Sequence, residues 1–336
     1  MRLSRTCRST AEPHEEKWMR HSCPRQLFPS GHARSCVLEI PMSAVESLLS
    51  APAQSFEVRP LGGVLGAEIL GLDLSLPVNS ADFARIHQAF LDHRVLVFRE
   101  QRITPEQQIA FSRRFGELQI HVLKQFLLAG HPEIFIISNI VENGRPIGLG
   151  DAGKLWHSDL SYKEIPSMGA MLYARILPEE GGDTLFADQQ LAYESLPEAL
   201  RKAVEGRRAV HSYTAHYEDE VFKGIRRPTL TTAQLEEVKE VVHPVVRTHP
   251  ETGRKGLFVN ENFTTRILDI PEDESRRLLA ELYAHSIRPE FTYRHRWQEN
   301  DLLFWDNRAL IHLATGCPNH LPRRMHRTTI QGDAPF

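Results

Sequence analysis

The chain has 336 residues, 41% of them hydrophobic and 25% charged, which is the composition of an ordinary globular protein. Its 40 basic and 43 acidic residues nearly cancel, and a net charge of −3 lacks the electrostatic footprint of a nucleic-acid binder. No apolar run approaches the roughly 18 residues that a membrane span needs. The four cysteines (Cys7, Cys23, Cys36 and Cys317) form no Cys-x-x-Cys pair and indicate neither a zinc site nor a disulfide framework, a usage that suits a reducing cytoplasm.

Residues 1–53 read differently from the rest. Through Pro41 they are rich in Arg, Ser, Pro, His and Cys and show no helical or strand period. Such a segment buries too little apolar surface to offset its ordering entropy. It is expected to be a disordered extension, or an over-long start with Met42 as the true initiator. Its basic beginning has no apolar stretch after it, unlike a secretory signal, and Glu12, Glu15, Glu16 and Glu39 argue against a transit peptide. The folded domain is expected over 54–336.

From Phe56 the elements follow in order. Phe56-Glu57-Val58 alternates as a strand, and glycines 62, 63 and 66 mark turns. Residues 80–94 form an amphipathic helix with Phe83, Ile86, Phe90 and Leu91 on one face, and 95–98 a buried strand. Thr104-Pro105-Glu106-Gln107 reads as a capping box with proline at N1, opening a helix that stops at Gly116. A strand is expected over 134–140, an Asn-Gly turn at 142–145 and a strand over 168–176. Helices are expected near 190–205, 231–241 and 272–286, and strands at 244–249, 256–260, 291–296, 301–305, 309–313 and 326–331. Gly148-Leu149-Gly150-Asp151-Ala152-Gly153 matches G-x-G-x-x-G but lacks the flanking strand and helix of a dinucleotide site; it is expected to be a flexible loop able to hinge a lid. The whole pattern reads as mainly β with flanking helices, an α+β sandwich or jelly roll rather than a parallel βαβ sheet.

The chemistry centres on Trp156-His157-Ser158-Asp159. In an extended strand His157 and Asp159 point the same way, so an imidazole and a carboxylate can grip one divalent ion. A second histidine completes a 2-His-1-carboxylate triad that leaves coordination positions open. His312 interrupts the apolar run 309–313. Arg327 sits in an apolar-flanked strand and needs an anionic partner, for which a guanidinium is a bidentate clamp. Thr184, after Gly181-Gly182-Asp183, offers a hydroxyl.

The order His157-x-Asp159, Gly-Gly-Asp-Thr184, Trp305-Asp306-Asn307-Arg308 with His312, then Arg323 and Arg327 resembles the TauD/TfdA family of Fe(II)- and 2-oxoglutarate-dependent dioxygenases, over roughly 56–336. The resemblance implies a double-stranded β-helix (jelly roll) with helices outside. It implies iron ligation by His157, Asp159 and His312. Arg327 then holds the distal carboxylate of 2-oxoglutarate, helped by Thr184, with Arg323 a second arginine near that co-substrate and O2 the other co-substrate. His121, after Phe115-Gly116-Glu117-Leu118, matches a substrate residue of the sulfonate-cleaving branch. Lys124 stands where that branch has a tyrosine, and Gly153 where it has an asparagine. Lys124 and Phe263 are further substrate candidates, the lysine as a partner for an anion. The implied substrate is a small anion, a sulfonate like taurine or an alkyl sulfate, or alternatively an aryloxyalkanoate or other carboxylate. A cytoplasmic homo-oligomer, dimer or tetramer, is expected. A metal-dependent hydrolase leaves Arg327 and Thr184 without a role, and a non-catalytic jelly-roll binding protein leaves the triad without one.

Overall fold

In the computed structural model, residues 52–150, 152–215 and 230–336 are described. The expectations for the N-terminal extension and for Met42 lie outside the described residues, apart from the last two positions of that segment. The first half runs β1 (Glu57–Pro60), β2 (Ala67–Leu70), α1 (Ser80–His93), β3 (Val95–Phe98), α2 (Pro105–Arg113), β4 (Leu127–Leu128), β5 (His131–Ser138), β6 (Val141–Glu142), β7 (Arg145–Pro146) and β8 (Ser167–Ile176). The second half runs β9 (Thr184–Asp188), α3 (Gln189–Glu194), α4 (Glu198–Val204), β10 (Arg208–His211), α5 (Thr232–Glu236), β11 (Val241–Pro244), β12 (Val246–Thr248), β13 (Lys255–Leu257) and β14 (Thr264–Ile267). It closes with α6 (Glu272–Ser286), β15 (Thr292–His295), β16 (Leu302–Asp306), β17 (Leu310–Ala314) and β18 (Arg324–Gln331).

The main sheet has eight strands in the order β1-β2-β3-β16-β8-β18-β5-β4, and a smaller sheet has the order β15-β9-β17. Strand β16, Leu-Leu-Phe-Trp-Asp, is buried on both faces, which is why it reads as a continuous apolar run. Its Leu303 and Trp305 share one core cluster with Phe186 of β9 and Leu310 of β17, so side chains of both sheets meet there. Its Leu302 and Phe304 enter a second cluster under α1, where Phe304 stacks on Phe90 with ring centroids 3.9 Å apart.

Local chemistry sets the element ends. Asn79 caps α1 by accepting from Asp82 N, and α1 stops where Arg94 turns left-handed. The capping box of α2 is present with both its hydrogen bonds. The expected turn at 142–145 is the β6–β7 hairpin, with Asn143 and Gly144 both at positive φ. The stretch near 190–205 divides into α3 and α4 at Pro197, since proline lacks the N–H a continuous helix requires. Helix α5 stops at Glu236, short of the expected 241, because Val241 is already paired with His211. The strand expected over 244–249 is two pieces: β11 pairs with β10, and β12 with β13.

The loop expectation at 148–153 changes. Leu149 N donates to Ile136 O (3.1 Å) and Leu149 O accepts from Ser138 N (3.2 Å), which docks 148–150 against β5. A Cβ on Gly148 would lie 2.7 Å from Ile136 O. Glycine is needed at 148 for close backbone approach.

Candidate metal centre

Two segments carry the cluster. His312 is on β17, locked in register opposite Phe186 of β9. His157 forms a single antiparallel bridge to His312, with N–H···O bonds of 3.0 and 2.8 Å in the two directions. The strand expected through 156–159 does not continue. The N–H of Asp159 goes to Asn307 Oδ1 (3.2 Å) instead of to β17, and the chain peels into a turn with Leu160 at φ 59°. The convergence of His157 and Asp159 is therefore made by one bridge and one side-chain bond, not by strand alternation.

His157, Asp159 and His312 are all buried, with one ligand atom from each lying within 4.8 Å of the others. Asp159 Oδ1 is 3.7 Å from His157 Nε2, and Oδ2 is 3.8 Å from His312 Nε2. The carbonyl of Leu155 can only accept, so its 2.8 Å contact places the hydrogen of His157 on Nδ1 and leaves the Nε2 lone pair facing the cluster. His312 Nδ1 has no hydrogen-bond partner. Burial pushes the pKa of both imidazoles down, that of His312 well down. Burial alone would raise the Asp159 carboxyl, but Arg327, His312 and His157 outweigh it and hold it at about 2. Near neutral pH the three groups are thus two neutral imidazoles and one carboxylate, the protonation states that a divalent metal requires. The donor set fits Fe(II).

The two arginines make different contacts. Arg327, 8% exposed, donates from Nη1 to Asp159 Oδ1 at 3.0 Å. Its guanidinium carbon lies 5.3 Å from the Phe135 ring centroid, and its Nε is buried without a partner. Arg323, equally buried, reaches the carbonyl of Gly182 at 3.4 Å and also has an unpartnered Nε. Gly182 is two residues from Thr184, whose hydroxyl accepts from Trp297 Nε1 (3.1 Å). Arg323 borders a cavity of about 650 Å³ together with Ala152, Lys154 and Ala314.

The other expected residues divide. His121 stacks on Phe135 (4.0 Å) and accepts from Leu123 N through Nδ1 (3.1 Å), so it stands beside Arg327. Burial first, then Arg327 and Lys163, lower its pKa to about 3, and it is neutral. Phe263 is buried 6.1 Å edge-on from the His157 ring, in a cluster with Tyr162 and Tyr213. Lys124 is exposed in a 3₁₀ turn over 124–126.

Three features escape a sequence reading. Asn307 accepts from Asp159 N and Trp305 Nε1 (3.1 Å) and donates to Ser167 Oγ (3.1 Å), tying the metal turn to β16. It lies within Trp305-Asp306-Asn307-Arg308, and an Asn between two buried strands is the available signal. Tyr162 and Tyr213 join Phe263 from separate loops, with no spacing to announce them. Gly153, at φ 75°, lies so close that a Cβ would be 3.1 Å from His157 Cε1.

Residues 57–329 match the family described as "Taurine catabolism dioxygenase TauD, TfdA family". Pentalenolactone F synthase of Streptomyces arenae is 36% identical, the match covering 76% of this chain and 89% of that protein. The alpha-ketoglutarate-dependent 2,4-dichlorophenoxyacetate dioxygenase of Cupriavidus pinatubonensis is 34% identical, over 83% of this chain and 99% of that protein. A crystal structure of a taurine dioxygenase from Burkholderia xenovorans superposes with a TM-score of 0.69 at 36% identity, covering 84% of this chain and 91% of that one. With the buried His157–Asp159–His312 cluster, this shows that the chain belongs to the TauD/TfdA family of Fe(II)- and 2-oxoglutarate-dependent dioxygenases.

Proposed function

We propose that this dioxygenase hydroxylates a small organic anion, a sulfonate or alkyl sulfate in the first instance and an aryloxyalkanoate or other carboxylate as the alternative. The observation that carries this is Arg327: a buried cation beside Asp159, stacked over Phe135, next to a neutral His121, with donors left over after its bond to Asp159. Asp159 engages Nη1 alone, so the buried, unpartnered Nε still calls for an acceptor, and the relatives named above for taurine and 2,4-dichlorophenoxyacetate are named for compounds that carry a sulfonate or a carboxylate.

The metal ligands are His157, Asp159 and His312. Bound iron with 2-oxoglutarate and O2 supplies the oxidising power, and 2-oxoglutarate leaves as succinate and CO2. The chain supplies position. Arg323, whose Gly182 contact lies two residues from Thr184, is assigned the distal carboxylate of 2-oxoglutarate in place of the Arg327 assignment expected from the sequence. Arg327 stands beside His121 and Asp159, whereas Arg323 makes one long contact, to Gly182, on the side of the site that leads to Thr184. His121, Arg327 and Phe263, with Tyr162 and Tyr213, then form the substrate wall and exclude water. Lys124, exposed, is assigned to the rim, where it attracts anions without gripping one. The two sheets sharing one core support a jelly roll built over residues 54–336. The protein is further proposed to work as a cytoplasmic homo-oligomer.

The test is a panel of alkanesulfonates, alkyl sulfates, aryloxyalkanoates, amino acids and uncharged alcohols or cationic amines of matching skeleton, scored by succinate formed above the substrate-free rate. Turnover confined to anions is expected. Turnover of neutral or cationic compounds at equal rates overturns the substrate class.

A further inference from the structure

We propose that Arg327 couples the metal centre to the anionic substrate, so that an anion in the substrate pocket and a divalent metal on His157, Asp159 and His312 bind with positive cooperativity. This rests on the metal and substrate assignments above. A single buried guanidinium serves both sites: Nη1 is bonded to the carboxylate that ligates the metal, and Nε is unpartnered. The two oxygens of Asp159 are not equivalent. Oδ1 is held by Arg327 at 3.0 Å, while Oδ2 faces His312 and has only a 3.5 Å contact from Asn307 Nδ2.

The sign follows from Coulomb's law. A bare cation 3.0 Å from the ligating carboxylate withdraws charge from it and repels an incoming dication across a buried, weakly screened interior. An anion seated on the remaining guanidinium donors offsets that charge without removing the bond that orients Asp159. The carboxylate then becomes the better ligand. The neighbouring imidazole does not substitute: His121 is neutral and already bonded through Nδ1. By linkage the effect is reciprocal, so metal must tighten the anion by the same factor.

The experiment uses the full chain, stripped of metal by chelation and titrated with Mn(II), free ion being counted by its EPR signal. Titrations are run at constant ionic strength in chloride, then with saturating methanesulfonate, methyl sulfate or acetate. Expected is a Kd for Mn(II) about fivefold or more lower with at least one anion. Arg327→Gln is expected to abolish the ratio of the two Kd values whatever it does to either alone. Arg327→Lys, keeping the charge but not the fork, should retain a reduced ratio. A purely structural arginine would weaken metal binding equally with and without anion. A wild-type ratio of one with all three anions, or an undiminished ratio in Arg327→Gln, overturns the coupling while leaving the metal site standing. No Mn(II) binding by the wild type overturns the metal assignment and the coupling together.

Discussion

Asn307 controls where Asp159 stands. Its Oδ1 accepts the Asp159 N–H that would otherwise continue the bridge to β17, and its Nδ2 reaches Ser167 Oγ and, at 3.5 Å, Asp159 Oδ2. Groups that orient metal ligands in this way commonly contribute 10–100-fold to affinity. Asn307→Ala is therefore expected to weaken Fe(II) or Mn(II) binding by about tenfold or more, read by anaerobic titration; affinity within a factor of two of wild type would show the turn holds itself. Arg323 gives a second prediction at this scale. A charge-assisted hydrogen bond is worth roughly 1.5–3 kcal/mol. Arg323→Gln should thus raise the 2-oxoglutarate concentration for half-maximal succinate release by about tenfold or more, leaving metal affinity in place. If Arg327→Gln alone produced that shift, the clamp would return to Arg327.

The β16–β17 connection, residues 307–309, links the main sheet to the smaller one and supports both ligand segments, and a buried charge network holds it. Asp306 accepts from Arg308 Nε and Nη2 (each 2.8 Å) and from His249 Nε2 (2.9 Å), while Arg308 Nη1 donates to Glu251 (2.6 Å). Burial would raise the Asp306 carboxyl, but Arg308 and His249 hold it well below the usual carboxylate range. Breaking a buried pair by removing one partner costs about 3–5 kcal/mol. Asp306→Ala is expected near the lower end, since Arg308 keeps Glu251, and urea midpoints measure it; a loss under about 1 kcal/mol would mark the network as energetically idle. Strands β16 and β17 are legible in sequence because apolar runs bounded by Asp301 and by Asp306-Asn307 leave few alternatives. That His312 joins the candidate metal cluster is legible from its place after His157-x-Asp159 and Trp305-Asp306-Asn307-Arg308 in the family order. The network is not legible, since His249 and Glu251 arrive from a distant loop. Nor is the difference between the contacts of Arg323 and Arg327. Four residues along a strand say that both arginines belong near the site, but not which one meets Asp159. The glycines at 148–150 are ambiguous for a related reason: a hinge and a close backbone approach use the same residue.

At the scale of the whole molecule, loss of stability in acid is expected to come first from histidines buried in neutral form. His211 is fully buried, with Nδ1 3.3 Å from Ser161 Oγ and Nε2 unpartnered. Burial, then His243, lowers its pKa to about 3. His326 on β18 is lowered to about 4 by burial, then by Arg175 and Arg324. The unfolded chain takes up protons on these groups as pH falls through about 6.5, whereas the folded chain refuses them until pH 3–4. The unfolded state thus binds more protons across that window, so stability rises with pH there and is lost on acidification. Each such histidine contributes up to about 1.4 kcal/mol per pH unit within the window. In the presence of chelator, which removes any contribution from iron ligation, the unfolding midpoint is expected to be level above about pH 7. It should fall steadily from about pH 6.5 to 4. His211→Asn, which keeps a polar group of similar reach but cannot charge, should flatten that slope by close to one proton, with wild-type stability approached or reduced at pH 8. An unchanged slope in His211→Asn, with an intact circular dichroism spectrum, would mean that His211 charges in the folded state, and the acid lability would then have to come from carboxylates such as Asp306, whose window lies below about pH 4.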